Sequence, residues 1–351
     1  MYQNNMNYVK YFKLPIKVFN AIFNLHSKIA FVEAQYGNQD IKARRLIIRF
    51  FSTTAPFEKK LNKDLCKFNL VEIQNMFMEL NIVTKATFEN RKSIIKQYLD
   101  WCASENLIPF SQEKWLDNFN YENLSINGIL KKRYFKSFDD LENGTKAIID
   151  FCNPVDIHQF DIMIIVFYLS WFGLTAKQIC NLKQTDIDYK SNCIIIDNIR
   201  YNINDCTKQI ICNYLKTDGY YAGATMIKGS SEYFDRTYQN TTFLIRRLTS
   251  STSETYEANE IQAKFSPYAF KQTQQFDNIN PYKNHKFNLK DIYDSGAFYR
   301  LYEYSQKTGV NENNVDMDTL KRILLVSNIS ISKRTNFIGL YKNWKITFQI
   351  N

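Results

Sequence analysis

The chain has 351 residues, with 45 Lys and Arg against 35 Asp and Glu, a formal net charge of +10. Apolar residues make up 45% and aromatics 15%, which excludes a disordered polymer and supplies enough material for two hydrophobic cores. The basic excess attracts polyanions, nucleic acid or an anionic surface, although abundant Lys, Asn and Ile also fit a genome rich in A and T.

Seven scattered cysteines with no C-x-x-C pair exclude a disulfide framework or a cysteine-based zinc site, and the three histidines, His26, His158 and His285, do not make a metal centre. No metal and no other cofactor are expected. The opening MYQNNMNYVKYFKLP lacks the apolar stretch of a signal peptide, and the run from Ile162 to Leu169 is too short to cross a bilayer. The expected location is the cytoplasm of a bacterial host, in association with the nucleoid, with no membrane partner.

In chain order, apolar and basic residues alternate at helical spacing from Tyr8 to Phe51, which predicts a helical N-terminal extension over 1–53. Ser52-Thr53-Thr54-Ala55-Pro56 is expected to break it, because proline disfavours helix in the preceding residue. A second helical domain follows over 54–117. Within it, Asn69 with Glu72 forms a capping-box pattern, and Thr84 can cap a longer helix that gathers Phe88, Ile94, Ile95, Tyr98, Leu99, Trp101 and Cys102 on one face. Arg91 falls inside that face, where its stem can lie along the surface with the charge outside.

Residues 118–139 read as a basic linker carrying Lys131-Lys132-Arg133, able to close around a polyanion. The domain expected over 140–351 opens with a buried apolar helix, Asp161 to Phe172, stopped by Gly173. Cys193-Ile194-Ile195-Ile196 and Arg200-Tyr201-Asn202-Ile203 flank Asp197-Asn198 as a β-hairpin, and Asp205 is placed to cap a helix ending near Lys216. From Ser250 to Lys286 the polar composition, with Pro267 and Pro281, predicts loops with short helical pieces.

The segments FEKKLNKDLCKFNLVEIQNMFMELN and TFENRKSIIKQYLDWCASENLIP resemble the core-binding domain of tyrosine recombinases, the phage-integrase family. DIMIIVFYLSWFGLTAKQICNLKQTDID resembles that family's first catalytic box. The resemblance implies a mostly α fold: a helical, SAM-like core-binding domain, followed by an α+β catalytic-type domain with a small β-hairpin sheet. The family's chemistry uses a tyrosine nucleophile, with two arginines and a lysine or histidine set to stabilise the transferring phosphoryl group.

This chain departs from that set. Thr175 stands where the family has an arginine after Gly-Leu, and NLKDIYDSGAFYRLYEYSQKTG puts Lys290 at the histidine and Tyr293 at the second arginine. Near the hairpin only Arg200 stands in for the family lysine. In ILLVSNISISKRTNFIGLYKNWKITF, Thr335 takes the nucleophile position, with Tyr341 a few residues on as a displaced candidate.

The expectation is a sequence-specific double-stranded DNA-binding regulator that is not an enzyme, like the integrase-fold lysogeny repressors of SPβ-type phages. The alternatives are an active recombinase with a rearranged catalytic set and an accessory protein that works through a recombinase. Candidate DNA contacts are Thr87, Asn90, Lys92, Lys96, Lys131, Lys132, Arg133, Arg200, Arg246, Arg247 and Lys290. The family's habit of assembling on inverted half-sites implies a DNA-dependent homodimer, and no regulatory partner is identified.

Overall fold

The computed structural model describes residues 2–350, apart from 81, 83, 110–113, 118, 122, 123, 125, 155, 224–232 and 327–329. The chain divides into two compact units, Met1–Ile129 and Leu130–Asn351. The observed class is the expected one, predominantly helical with small antiparallel sheets in the second unit.

The first unit contains α1 (Tyr2–Phe12), α2 (Ile16–Ala21), α3 (Leu25–Tyr36), α4 (Ile41–Leu61), α5 (Leu70–Glu79), α6 (Lys85–Ser104) and α7 (Lys114–Asp117). The two capping signals hold: Asn69 accepts from the Glu72 amide while Glu72 accepts from the Asn69 amide, and Thr84 accepts from the Thr87 amide. The apolar face of α6 is buried throughout, and Arg91, half-buried, lies with its guanidinium 4.8 Å from the Phe50 ring centroid.

The expected break at residues 52–56 does not occur, because α4 runs through Pro56 to Leu61. Ile47, Ile48, Phe50, Phe51, Thr54, Ala55 and Glu58 are buried on one side of that helix. Their packing outweighs the cost of one missing backbone bond. The Thr53 and Thr54 hydroxyls turn back onto the Phe50 and Phe51 carbonyls.

Beneath α4 lies a charged network closed off from water. The Lys28 ammonium is 2.9 Å from Glu58 and 3.0 Å from Asp64, and 4.1 Å from the Tyr98 ring centroid. Asp64 also accepts from the Tyr98 hydroxyl, the Cys66 amide and Asn24, and Glu58 from Thr54 and the Leu65 amide. Burial pushes the Glu58 carboxyl up, and Lys28 offsets this only in part. Burial acts on Asp64 too, but Lys28 and its amide donors outweigh it and hold that carboxyl below the ordinary range. Removing one member leaves buried charge unanswered. Lys28→Met is expected to lower the unfolding free energy by about 3–5 kcal/mol in denaturant melts of the full chain.

The division between units falls within α8 (Ile126–Lys131). The second unit continues with α9 (Phe138–Cys152), α10 (Asp161–Trp171), α11 (Ala176–Asn181), β1 (Ile187–Asp188), β2 (Cys193–Ile196), β3 (Ile199–Asn202), α12 (Asp205–Lys216), β4 (Gly219–Gly223) and β5 (Tyr233–Thr237). It closes with α13 (Ala258–Thr273), α14 (Leu289–Thr308), α15 (Met317–Leu324) and α16 (Ile331–Phe348). Every residue of α10 is buried, and Gly173 at φ +101° stops it as expected. α14 packs against α10 at Gly296, where an added Cβ would stand 1.9 Å from the Trp171 carbonyl oxygen.

The hairpin forms as read: β2 pairs antiparallel with β3, and Asp197 and Asn198 both have positive φ. Asn204, one residue before the expected Asp205, caps α12 by accepting from the Thr207 amide. The loop expected from Ser250 to Lys286 instead contains the 16-residue α13 with Pro267 inside it. Ile261, Phe265, Ala269 and Thr273 recur every four residues and bury one stripe. The stretch read as a basic linker, 118–139, contains the boundary between the two units, and it holds α8 and the start of α9, with Leu130, Tyr134 and Phe135 buried.

His285 is buried with its ring centroid 4.2 Å from that of Phe135, and burial pushes its pKa down to about 4. The unfolded chain binds this proton more tightly than the folded one. The stability that neutral His285 allows is therefore whole above pH about 6.5 and is lost as pH falls toward about 4, a change of about 3 kcal/mol. Denaturant melts across that window should show the loss in the parent and a shallower one in His285→Phe.

Candidate nucleic-acid interface

The proposed contacts on α6 sort into two kinds. Thr87 and Asn90 are exposed. Lys92 and Lys96 are engaged within the unit: Lys92 donates to the Phe119 carbonyl at 2.7 Å, and Lys96 pairs with Asp117 at 2.6 Å. Lys96 draws the Asp117 carboxyl below its ordinary range.

The neighbouring α4 presents what the α6 reading missed. Lys42, Leu46, Arg49, Thr53, Pro56 and Lys60 recur at intervals of four and three on its outer face, and all are exposed. Lys59 is exposed beside them. The one carboxylate of this helix, Glu58, faces inward to Lys28. Lys60 makes a loose pair with Glu79 at 3.9 Å, and Lys42, Arg49 and Lys59 have no carboxylate partner among the described residues. The periodicity was present in the sequence, but the supposed break at Pro56 cut the stripe in two.

In the second unit, two of the candidate DNA contacts are bonded within the fold. Arg246 is buried between the Tyr214 and Tyr238 rings, with its guanidinium donating at 2.7 Å to both the Tyr214 and Thr217 carbonyls at the end of α12. Arg247 pairs with Glu260 of α13, donates to the Ser251 hydroxyl at 2.9 Å, and lies over the Tyr256 ring. Neither side chain is free to read a base. Arg200 stays exposed on β3, where it donates to Asn202 at 3.0 Å and to the Ser191 carbonyl at 3.4 Å.

The positions that resemble catalytic ones have local duties. Thr175 is exposed and caps α11 in a capping box with Gln178, whose amide nitrogen donates to the Tyr201 hydroxyl at 2.7 Å. Tyr293 donates to the Leu324 carbonyl at 2.5 Å. Thr335 is exposed and bonded to the Ile331 carbonyl one turn back, whereas Tyr341 is fully buried beside Phe298 and Trp344. Burial pushes the Tyr341 hydroxyl up to about 12, away from the phenolate a nucleophile needs. Arg300, not picked out from the sequence, donates to the Trp171 and Ile323 carbonyls at 2.8 and 2.9 Å, and burial pushes its guanidinium down to about 10. It fastens the ends of α10 and α15.

The basic run Lys131-Lys132-Arg133 meets the start of α14. The Lys286 amide donates to the Lys132 carbonyl at 2.9 Å, and Arg133 makes a two-pronged pair with Asp291 at 2.6 and 3.1 Å. Lys290, exposed, pairs with Asp294 at 2.5 Å. Among the described residues, no group of His, Cys, Asp or Glu is arranged to hold a metal, and no helix is long and apolar enough to cross a membrane.

Arg246→Met removes two charge-assisted bonds to carbonyls. It should cost about 2–4 kcal/mol in chemical denaturation. A base reader would instead lose DNA affinity at unchanged stability.

Among curated proteins none matches this sequence. Solved structures similar to it include XerA recombinase, at 13% identity over 93% of this chain and 99% of that one, with a TM-score of 0.37. The Tn1549 transposon integrase in complex with circular intermediate DNA is similar at 13% identity over 89% of this chain and 94% of that one, with a TM-score of 0.35. Residues 22–104, which run through α3, α4, α5 and α6, match the family model of the MrpR N-terminal core-binding domain. Within the first unit, residues 22–104 are therefore similar to a core-binding domain of the MrpR type, the kind of helical module that the sequence resemblance implies.

Proposed function

We propose that this chain is a sequence-specific double-stranded DNA-binding protein of recombinase architecture that regulates transcription, a repressor of phage or prophage genes that does not cut DNA. The observation that carries the reading is the outer face of α4 within the matched core-binding domain. That face spans about 27 Å from Lys42 to Lys60 and carries cations without an intervening carboxylate. Such a stripe fits a phosphate backbone, and exposed Thr87 and Asn90 on α6 remain available for base edges.

The non-cutting part of the reading is supported by chemistry. Phosphoryl transfer through tyrosine needs an accessible nucleophile and preorganised cations on the phosphate. Here Thr175 is a helix cap, Tyr293 is bonded to a carbonyl, and Tyr341 is packed in the core. A DNA-dependent homodimer on inverted half-sites, in the bacterial cytoplasm, belongs to the same proposal.

The test is binding of the full chain to fragmented host and phage genomes, followed by titration of the enriched duplex at several salt concentrations. Affinity for that duplex should exceed affinity for scrambled sequence and fall steeply with salt, and Arg49→Ala should weaken both and flatten the salt slope by about one unit. Equal binding to all sequences would remove the regulator reading. A covalent protein–DNA adduct with a nicked form of the enriched duplex would replace it with the active recombinase.

A further inference from the structure

The start of α14 carries a concentration of positive charge that the fold itself does not neutralise. Two segments distant in sequence meet there through the bond from the Lys286 amide to the Lys132 carbonyl. Lys131 and Lys132 stand exposed on one segment, and the other carries exposed Lys290 and half-buried Lys286. Arg133, beside Lys286, is committed to Asp291. The Lys286 ammonium is bonded to no carboxylate or carbonyl among the described residues, and burial together with the Arg133 guanidinium pushes its pKa down against the opposing pull of Asp291. A half-buried cation next to a second cation is a local demand for an anion that Asp291, already paired with Arg133, meets only in part.

The same place holds an internal competitor. Asp294 is almost fully buried, and its carboxylate reaches one turn back along α14 to the Lys290 ammonium at 2.5 Å. Burial pushes this carboxyl up, with Asp291 adding to the effect and Lys290 opposing it. The pair holds Lys290 against the helix while three other lysines stay open.

The geometry points to a phosphate site formed by Lys131, Lys132, Lys286 and Lys290, in which the incoming phosphate displaces Asp294 from Lys290. Three free cations and one exchangeable one suit a phosphodiester or a terminal phosphate, bound through its oxygens with no covalent step. The backbone of DNA supplies that group, and in this form the inference rests on the DNA-binding reading above. A free phosphorylated small molecule supplies the same group and would make the site a sensor.

The experiment uses the full chain, its Lys286→Gln and Asp294→Asn variants, the enriched duplex, and inorganic pyrophosphate as the small probe. Lys286→Gln should flatten the salt dependence of duplex binding by about one phosphate, a change of about three- to fourfold over a fourfold range of salt. Asp294→Asn frees Lys290 and should steepen it by a similar amount. Should Asp294→Asn fail to fold, Lys286→Gln, at a half-exposed position with its backbone bond intact, carries the test.

If duplex binding is unchanged in Lys286→Gln but calorimetric binding of pyrophosphate is lost, the site stands with a free phosphate ligand as its source. If the parent binds no duplex yet takes pyrophosphate through Lys286, the DNA reading fails and the site survives. A parent and two variants that agree with one another on both duplex and pyrophosphate overturn the site and leave the DNA reading untouched.

Discussion

A cation taken out of water must be met by acceptors, and in this protein that requirement decides what its many basic residues can do. Lys28 is the extreme case: it draws α3, α4, α6 and the turn at Asp64 onto one ammonium, and everything packed around it inherits that geometry. Such a network specifies position more than it adds stability, because the cost of removing charges from water absorbs much of the attraction. Arg246 and Arg300 do comparable work in the second unit by closing the carbonyl ends of α12, α10 and α15. Among the cations left open to a polyanion are the outer stripe of α4, Arg200 on the hairpin, and the lysines before and at the start of α14.

Much of the local architecture was legible in the sequence, for reasons that are themselves local. Asn69 with Glu72, Thr84, Gly173 and Asp197-Asn198 each satisfy a backbone need within three or four residues, so the signal lies in adjacent letters. The break misplaced in α4 and the missed length of α13 share one cause. Pro56 and Pro267 each remove a single backbone bond, whereas α4 and α13 gain a buried stripe along most of their length. Proline is a penalty to be weighed against packing, and packing partners come from distant parts of the chain.

The candidate site was less legible because a sequence shows charge without showing its partner. Lys92, Lys96, Arg246 and Arg247 look as available as Lys42 or Arg49 when written in a line, and only the fold reveals Asp117, Glu260 and the end of α12 beside them. The converse error hid Lys286, whose polar, proline-containing surroundings resembled an unremarkable loop. The buried Lys28 was invisible for the same reason, since both of its carboxylates lie 30 or more residues away.

The cap at Thr175 bears on how freely this chain can change. Its side chain starts α11 and, through Gln178, ties that helix to Tyr201 on the hairpin. An arginine introduced there would bring a guanidinium but surrender the cap, at a cost of about 1 kcal/mol, and would loosen the link to β3 before any phosphate arrived. It would also enter a site whose other positions are occupied by Tyr293 bound to Leu324 and Tyr341 sealed in the core. At residue 175 a cap and a cation thus exclude one another, and the fold gives up stability before a guanidinium there could meet any phosphate.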